Sequence, residues 1–160
     1  MTPDDPLWID VWVPVGDALW VADVAEAFDW LGRAWGTALR ALGLAGVEVR
    51  TDGPGASTRW SPLVCFGGVG SGEVTIAGRK VVGLAQRRDR YGAWFHGACV
   101  VRWDPTRLLG ALALDDDERS AAAEELADVV TGVVDAATSQ GVPAGPTAEA
   151  VVGALLDALP

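Results

Sequence analysis

Glu73-Val74-Thr75-Ile76-Ala77-Gly78-Arg79-Lys80-Val81-Val82-Gly83-Leu84-Ala85-Gln86-Arg87-Arg88 is the stretch whose reading decides the fold. Two runs rich in β-branched residues flank Ala77-Gly78, and glycine there supplies the backbone freedom a tight hairpin turn needs. The spacing predicts a β-hairpin with strands over Glu73–Ile76 and Arg79–Ala85. Period-2 alternation puts Lys80 and Val82 on one face, Arg79 and Val81 on the other. Lys80 is also the only lysine of the chain; the other 11 cations are arginine. An ammonium is a compact point charge that a guanidinium does not replace. Two residues beyond a rigid turn, it could meet a substrate atom accurately. The plainer reading is a leftover lysine in an arginine-rich composition.

Outward from the hairpin, Leu7–Val13 has strand composition, with Leu7, Ile9, Val11 and Val13 on one face and Trp8, Asp10 and Trp12 on the other. Both faces are largely apolar, so this strand is expected inside a sheet. Asp23–Leu42 reads as a helix with Asp23 and Glu26 as capping residues. Val24, Phe28, Leu31, Trp35, Leu39 and Leu42 form its apolar face, which makes the tryptophans core. Val47–Arg50 reads as a short strand, Thr51–Ser57 as a loop and Leu63–Phe66 as a strand. Gly67-Gly68-Val69-Gly70-Ser71-Gly72 is glycine-rich but lacks the spacing of a phosphate-binding loop. Trp94–Val101 reads as a strand carrying His96 and Cys99. Helices follow from Asp104 to Leu112, Asp115 to Ala136 and Thr147 to Leu159, with a Gly/Pro linker over Ser139–Pro146.

Composition bounds the rest. The chain has 160 residues, half of them hydrophobic, with a net charge of −10, which suits one globular domain. No apolar run reaches membrane-spanning length. The acidic start, with no basic segment, predicts a cytoplasmic protein. From Asp115 onward there are ten acids against Arg119 alone, best read as a solvated helix surface. Nucleic acid is repelled by the whole chain, although Arg79, Lys80, Arg87, Arg88 and Arg90 could attract one phosphate or carboxylate. Cys65 and Cys99 make no metal motif or disulfide framework, and a lone His96 leaves little for a zinc site or a catalytic triad.

The ordered string Cys65-Phe66, glycine loop, Gly78-Arg79-Lys80-x-x-Gly83-x-x-Gln86-Arg87 and His96-Gly97 resembles the lipoate–protein ligase and octanoyltransferase family, related to biotin–protein ligases. The likeness is most specific across residues 64–103. It implies an α/β (α+β) fold: a mixed, mostly antiparallel sheet with helices on one face. Residues 1–114 would form a partial catalytic core, and residues 115–160 acidic helices packed on the same domain. It implies Lys80 as the group at the acyl carbonyl and adenylate phosphate, stabilising charge on oxygen. Gly78, Arg79, Gly83, Gln86 and Arg87 would serve in substrate and cofactor binding. Cys65 falls where some octanoyltransferases carry their nucleophile; the alternative is a small buried strand residue. For His96 the expectation is a hydrogen-bonded strand histidine. Leu84, Phe95 and Ala98 depart from the family's polar residues, and its earlier Arg-Arg-x-x-Gly-Gly-Gly segment is absent, so the fold is expected to be N-terminally truncated.

The function implied is transfer of a lipoyl or octanoyl group to a lysine of a lipoyl carrier domain through an acyl-adenylate, with ATP and Mg2+ if the chain acts as a ligase. No metal ligands are expected in the chain. The partners implied are lipoyl carrier domains of 2-oxo acid dehydrogenases or the glycine-cleavage carrier protein, and a complementary N-terminal polypeptide. Exposed sheet edges would allow a dimer. The alternative is a noncatalytic accessory subunit that binds the carrier domain. Lipoyl, octanoyl and biotinyl groups are not distinguished.

Overall fold

The computed structural model describes residues 6–53, 55–142 and 144–160; the acidic start read above, residues 1–5, lies outside them. Five antiparallel strands form one sheet in the order β1-β5-β4-β3-β2. They are β1 (Leu7–Pro14), β2 (Val47–Val49), β3 (Val74–Ile76), β4 (Arg79–Arg88) and β5 (Gly92–Cys99). The helices are α1 (Asp29–Ala41), α2 (Thr106–Gly110), α3 (Asp116–Val129), α4 (Val133–Ser139) and α5 (Ala148–Ala158). One face of the sheet is closed by α1 and α5. Leu31, Trp35 and Leu39 of α1 and Val151 and Leu155 of α5 are buried with Val82, Phe95 and Cys99 of the sheet. A second, smaller core lies on the opposite face at one end, where Leu126 and Val130 pack with Trp60, Val64, Phe66, Ala98 and Val100.

The β3–β4 hairpin forms where the sequence placed it. Its turn residues Ala77 and Gly78 have φ of +50° and +77°, the positive pair of a two-residue hairpin turn. The simple alternation does not survive. The register shifts so that Thr75 pairs with Lys80 but Val74 pairs with Val82, leaving Val81 as an extra residue. Such a bulge turns both Val81 and Val82 into the main core and brings Lys80 and Gly83 to the other face.

Four further expectations change. The helix read from Asp23 begins at Asp29, because Asp23 Oδ1 accepts from the Ala25 and Glu26 N–H groups in a turn that leads into a separate 3-10 turn at Glu26–Phe28, and Val24 is exposed. β1 is an edge strand, not an internal one. Leu7 and Val13 enter the core, whereas Trp8 is 68% exposed; its second apolar face is surface. Leu63–Phe66 is not a strand, because the Leu63 and Val64 N–H groups bond back to the Trp60 carbonyl and Cys65–Gly67 is a 3-10 turn. The helix expected over Asp115–Ala136 is broken between α3 and α4. There Val130 bridges Lys80 in parallel, the Thr131 N–H donates to the Lys80 carbonyl at 2.9 Å, and the Val133 N–H donates to that of Val100 at 2.9 Å. Gly132 is needed at this crossing: a Cβ there would lie 2.5 Å from the Val101 carbonyl oxygen. At the start of α3, Asp115 and Glu118 form the full capping box.

Candidate active site

Lys80 is 2% exposed. Its Nζ donates to the Cys65 carbonyl at 2.9 Å and the Gly68 carbonyl at 2.8 Å, and pairs with Glu73 Oε2 at 2.6 Å. The Phe66 ring centroid lies 5.0 Å from Nζ. Four pieces of chain converge on this ammonium: the 3-10 turn at 65–67, the glycine-rich loop, the entry to β3, and β4. The main chain of Lys80 is fixed as well, between Thr75 of β3 and Thr131. The charge therefore sits on a rigid support.

Glu73 is the residue the sequence reading missed. Its Oε2 accepts from the Gly70 N–H at 2.6 Å and its Oε1 from the Leu84 N–H at 3.0 Å. A signal was present: Glu73 is the only acid between Asp52 and Asp89, and it stands in an apolar, glycine-rich run where a carboxylate needs a partner. Gly83 lies under the pair. A Cβ there would meet Phe66 Cζ at 3.3 Å and Lys80 Cε at 3.4 Å, so glycine leaves the room the side chains occupy.

Two cavities meet Lys80. One of about 90 Å3 is bordered by Trp8, Phe66, Leu84, Ala98 and His96, with Cys65 and Lys80. The other, about 340 Å3, runs along Ala56, Ser57, Ser61 and the glycine loop to Cys65, Glu73 and Lys80. The first is apolar apart from the ammonium, its carboxylate and the imidazole; it can take a hydrocarbon group. The second is lined about equally by polar and apolar surface and runs along the glycine loop.

The expected site residues divide. Lys80, Cys65 and Gly83 come together. Cys65 is exposed and sits in the turn rather than a buried strand, while Cys99 is buried. Gly78 lies at the hairpin tip beside a different hollow, lined by Arg50, Asp52 and Thr75. Arg79 precedes Lys80 and falls on the opposite face of β4. Gln86 pairs opposite Phe95, on the main-core face, and its amide donates to the Val24 carbonyl at 2.5 Å. Arg87 shares the Lys80 face but is exposed further along β4. The basic cluster read from the sequence is dispersed too: Arg88 donates to the Val21 and Ala22 carbonyls and stacks on Trp20, and Arg90 stacks on Tyr91. His96 is the bonded strand histidine expected, its Nδ1 2.5 Å from Asp10 Oδ1 across the β1–β5 pair.

Among the described residues no group of three or more His, Cys, Asp and Glu side chains could hold a metal ion. Nor is any helix among the described residues long and apolar enough to cross a membrane.

Residues 16–159 match the family model described as the lipoyl protein ligase A/B catalytic domain. This chain belongs to that family. The ligase-domain fold recurs in solved structures. A bipartite lipoate protein ligase from Thermoplasma acidophilum, described with its E2 lipoyl domain, superposes with a TM-score of 0.61 at 20% identity. A lipoate-protein ligase A bound with ATP gives 0.55 at 18%. A T. acidophilum protein assigned as a lipoate protein ligase, with bound lipoic acid, gives 0.54 at 18%. Each alignment covers 94% of this chain but 48% of the other; the chain spans about half the length of these neighbours. At such identities the likeness is one of fold. A search of curated protein sequences finds no match.

Proposed function

We propose that this chain transfers a lipoyl or octanoyl group to a lysine of a lipoyl carrier domain, with Lys80 polarising the acyl carbonyl. The observation that carries the reading is the sole lysine of the chain, its ammonium buried and fixed at the border of an apolar cavity. Membership of the ligase family supports the reaction class. The ATP and the lipoic acid bound by two structural neighbours support an acid activated as its adenylate.

In that reaction the carboxylate attacks the α-phosphate of ATP and pyrophosphate leaves. The acceptor amine then attacks the acyl carbonyl, AMP departs and the amine proton passes to solvent. Negative charge develops on the acyl oxygen in the second step, and a preplaced ammonium stabilises it without reorganisation. Of Gly78, Arg79, Gly83, Gln86 and Arg87, Gly83 is proposed at the substrate because it adjoins Lys80, and the other four lie apart from it. Mg2+ would arrive with the phosphates of ATP, since the described residues hold no acidic cluster for it. Cys65, exposed beside the ammonium, carries the transferase variant: its thiolate would take the acyl group from a carrier thioester, releasing the carrier thiol, and would pass it to the acceptor amine. The acceptor is the lipoyl domain of a 2-oxo acid dehydrogenase or the glycine-cleavage carrier protein. A complementary polypeptide would supply what the longer neighbours carry beyond the shared half, in the cytoplasm.

The test incubates the chain with lipoic acid, ATP, Mg2+ and a lipoyl domain, and follows the domain by mass. An ATP-dependent lipoyl mass gain is expected, lost by ~10²–10³-fold in Lys80→Ala. Transfer unaffected by Lys80→Ala overturns the assignment. An acyl-enzyme mass shift that vanishes in Cys65→Ser, with no need for ATP, selects the transferase variant.

A further inference from the structure

An ammonium has three donors and no acceptor. In Lys80 all three are occupied, by the carbonyls of Cys65 and Gly68 and by Glu73 Oε2. No donor is left for a substrate oxygen. Any reaction at Lys80 must first displace one of these partners, and they are not equally displaceable.

Glu73 is anchored at both oxygens, to Gly70 and to Leu84. Its bond to the Leu84 N–H has a structural origin. β3 begins at Val74 opposite Val82, so beyond that point the outer side of β4 has lost its strand partner. The carboxylate stands where a ladder carbonyl would be. Moving it would strand two main-chain donors and a buried charge. The two carbonyls belong instead to the 3-10 turn and the glycine loop, beside the larger cavity. Rotating the Gly68–Val69 peptide frees the Gly68 carbonyl at the cost of one main-chain bond, from the Val69 N–H to the Ala56 carbonyl, and glycine at 68 eases that rotation; displacing Glu73 would cost two donors and a charge.

We propose that Glu73 is the positioning residue for Lys80: it stays bonded and keeps the ammonium aimed, while an acyl carbonyl oxygen replaces the Gly68 or Cys65 carbonyl. This rests on the reading of Lys80 as the group that polarises the acyl carbonyl. The resting site is thus satisfied by backbone surrogates of the substrate oxygen, and binding exchanges one carbonyl for another around a fixed carboxylate–ammonium pair.

The single lysine makes the test direct. Protein labelled with 15N-lysine carries one side-chain amine. In the wild-type chain its Nζ–H correlation should be visible and protected from exchange at neutral pH, and Lys80 should react slowly with an amine-methylating reagent. In Glu73→Gln the correlation should disappear and methylation should accelerate about tenfold or more, with Glu73→Asp between the two. In the acyl-transfer assay Glu73→Gln should lower kcat about tenfold or more while KM for the acyl substrate moves less than about threefold, the signature of a group acting in the transition state. An unprotected amine in the wild type overturns the proposal, and so does methylation unchanged by Glu73→Gln. Where the Gln variant does not fold, Glu73→Asp supplies the comparison: faster methylation than in the wild type supports the proposal, and an unchanged rate overturns it. The two readings fail separately. Protection of Lys80 in a chain whose acyl transfer survives Lys80→Ala removes the functional reading and supports the Glu73–Lys80 coupling. A fast-exchanging amine in a chain whose activity needs Lys80 removes the coupling alone.

Discussion

Lys80 and Glu73 show how one charge dictates another. A buried ion pair stabilises little by itself, but removing one partner leaves an uncompensated charge in the interior. Lys80→Met should therefore destabilise the fold by about 3–5 kcal/mol, measured by urea denaturation. The double variant Lys80→Met/Glu73→Gln should recover part of that loss, because the orphaned carboxylate is gone. The two cysteines diverge for the same electrostatic reason. Burial pushes the Cys99 thiol from 9.0 up to about 12, whereas Cys65 faces solvent. A thiol reagent should modify Cys65 in the native protein and reach Cys99 only on unfolding. The raised Cys99 value also fixes a sign: between pH 9 and about pH 12 the unfolded chain loses the proton that the folded chain keeps. Stability should fall with rising pH across that window, and Cys99→Ala should flatten the slope.

At the scale of elements, close backbone approaches decide what the sequence tolerates. Helix α1 touches the glycine loop at Gly32, where a Cβ would sit 2.1 Å from the Gly72 carbonyl oxygen. Gly32→Ala must push the helix off the loop that carries Gly68 and Gly70. It should destabilise by about 1–3 kcal/mol and weaken acyl transfer along with it. The β3–β4 turn offers the opposite change. Ala77 has φ +50°, a conformation that asparagine adopts more readily than alanine. Ala77→Asn should stabilise by about 0.5–1 kcal/mol, seen as a higher Tm with activity unchanged. The break between α3 and α4 follows the same rule. Propensity and acidic capping read as one long helix, but Val130 and Thr131 find better partners beside Lys80 and Val100, and tertiary pairing overrides local preference.

Over the whole molecule, α5 closes the main core against α1. Leu155 is buried there, and Leu155→Ala should cost about 2–4 kcal/mol by chemical denaturation. On the opposite side the sheet stays partly open: Trp8 and Trp94 are exposed, with Asp10 and His96 between their rows. This surface adjoins the Lys80 cavity through Trp8 and His96. The apolar cavity at Lys80 and the open half of the sheet are one region.

The hairpin, the apolar stripe Leu31–Trp35–Leu39 of α1, the cap at Thr147 and the singular lysine were legible in the sequence, because each depends on neighbours within a few positions; the cap read at Asp23 was not one, since α1 begins at Asp29. The motif string from Cys65 to Gly97 carried the family. The partners of Lys80 were not legible: Cys65 and Gly68 carbonyls are main-chain groups with no side-chain signature, and Glu73 gave only the faint sign of an isolated acid. A one-residue bulge at Val81 inverted the facing of Lys80 relative to Val82 and so carried Gln86 to the opposite face as well, where its amide meets the Val24 carbonyl. Local chemistry thus determined which elements form and which ammonium matters. Only the tertiary structure decided what surrounds that ammonium, since a buried charge needs partners and these lie wherever the packed chain brings them.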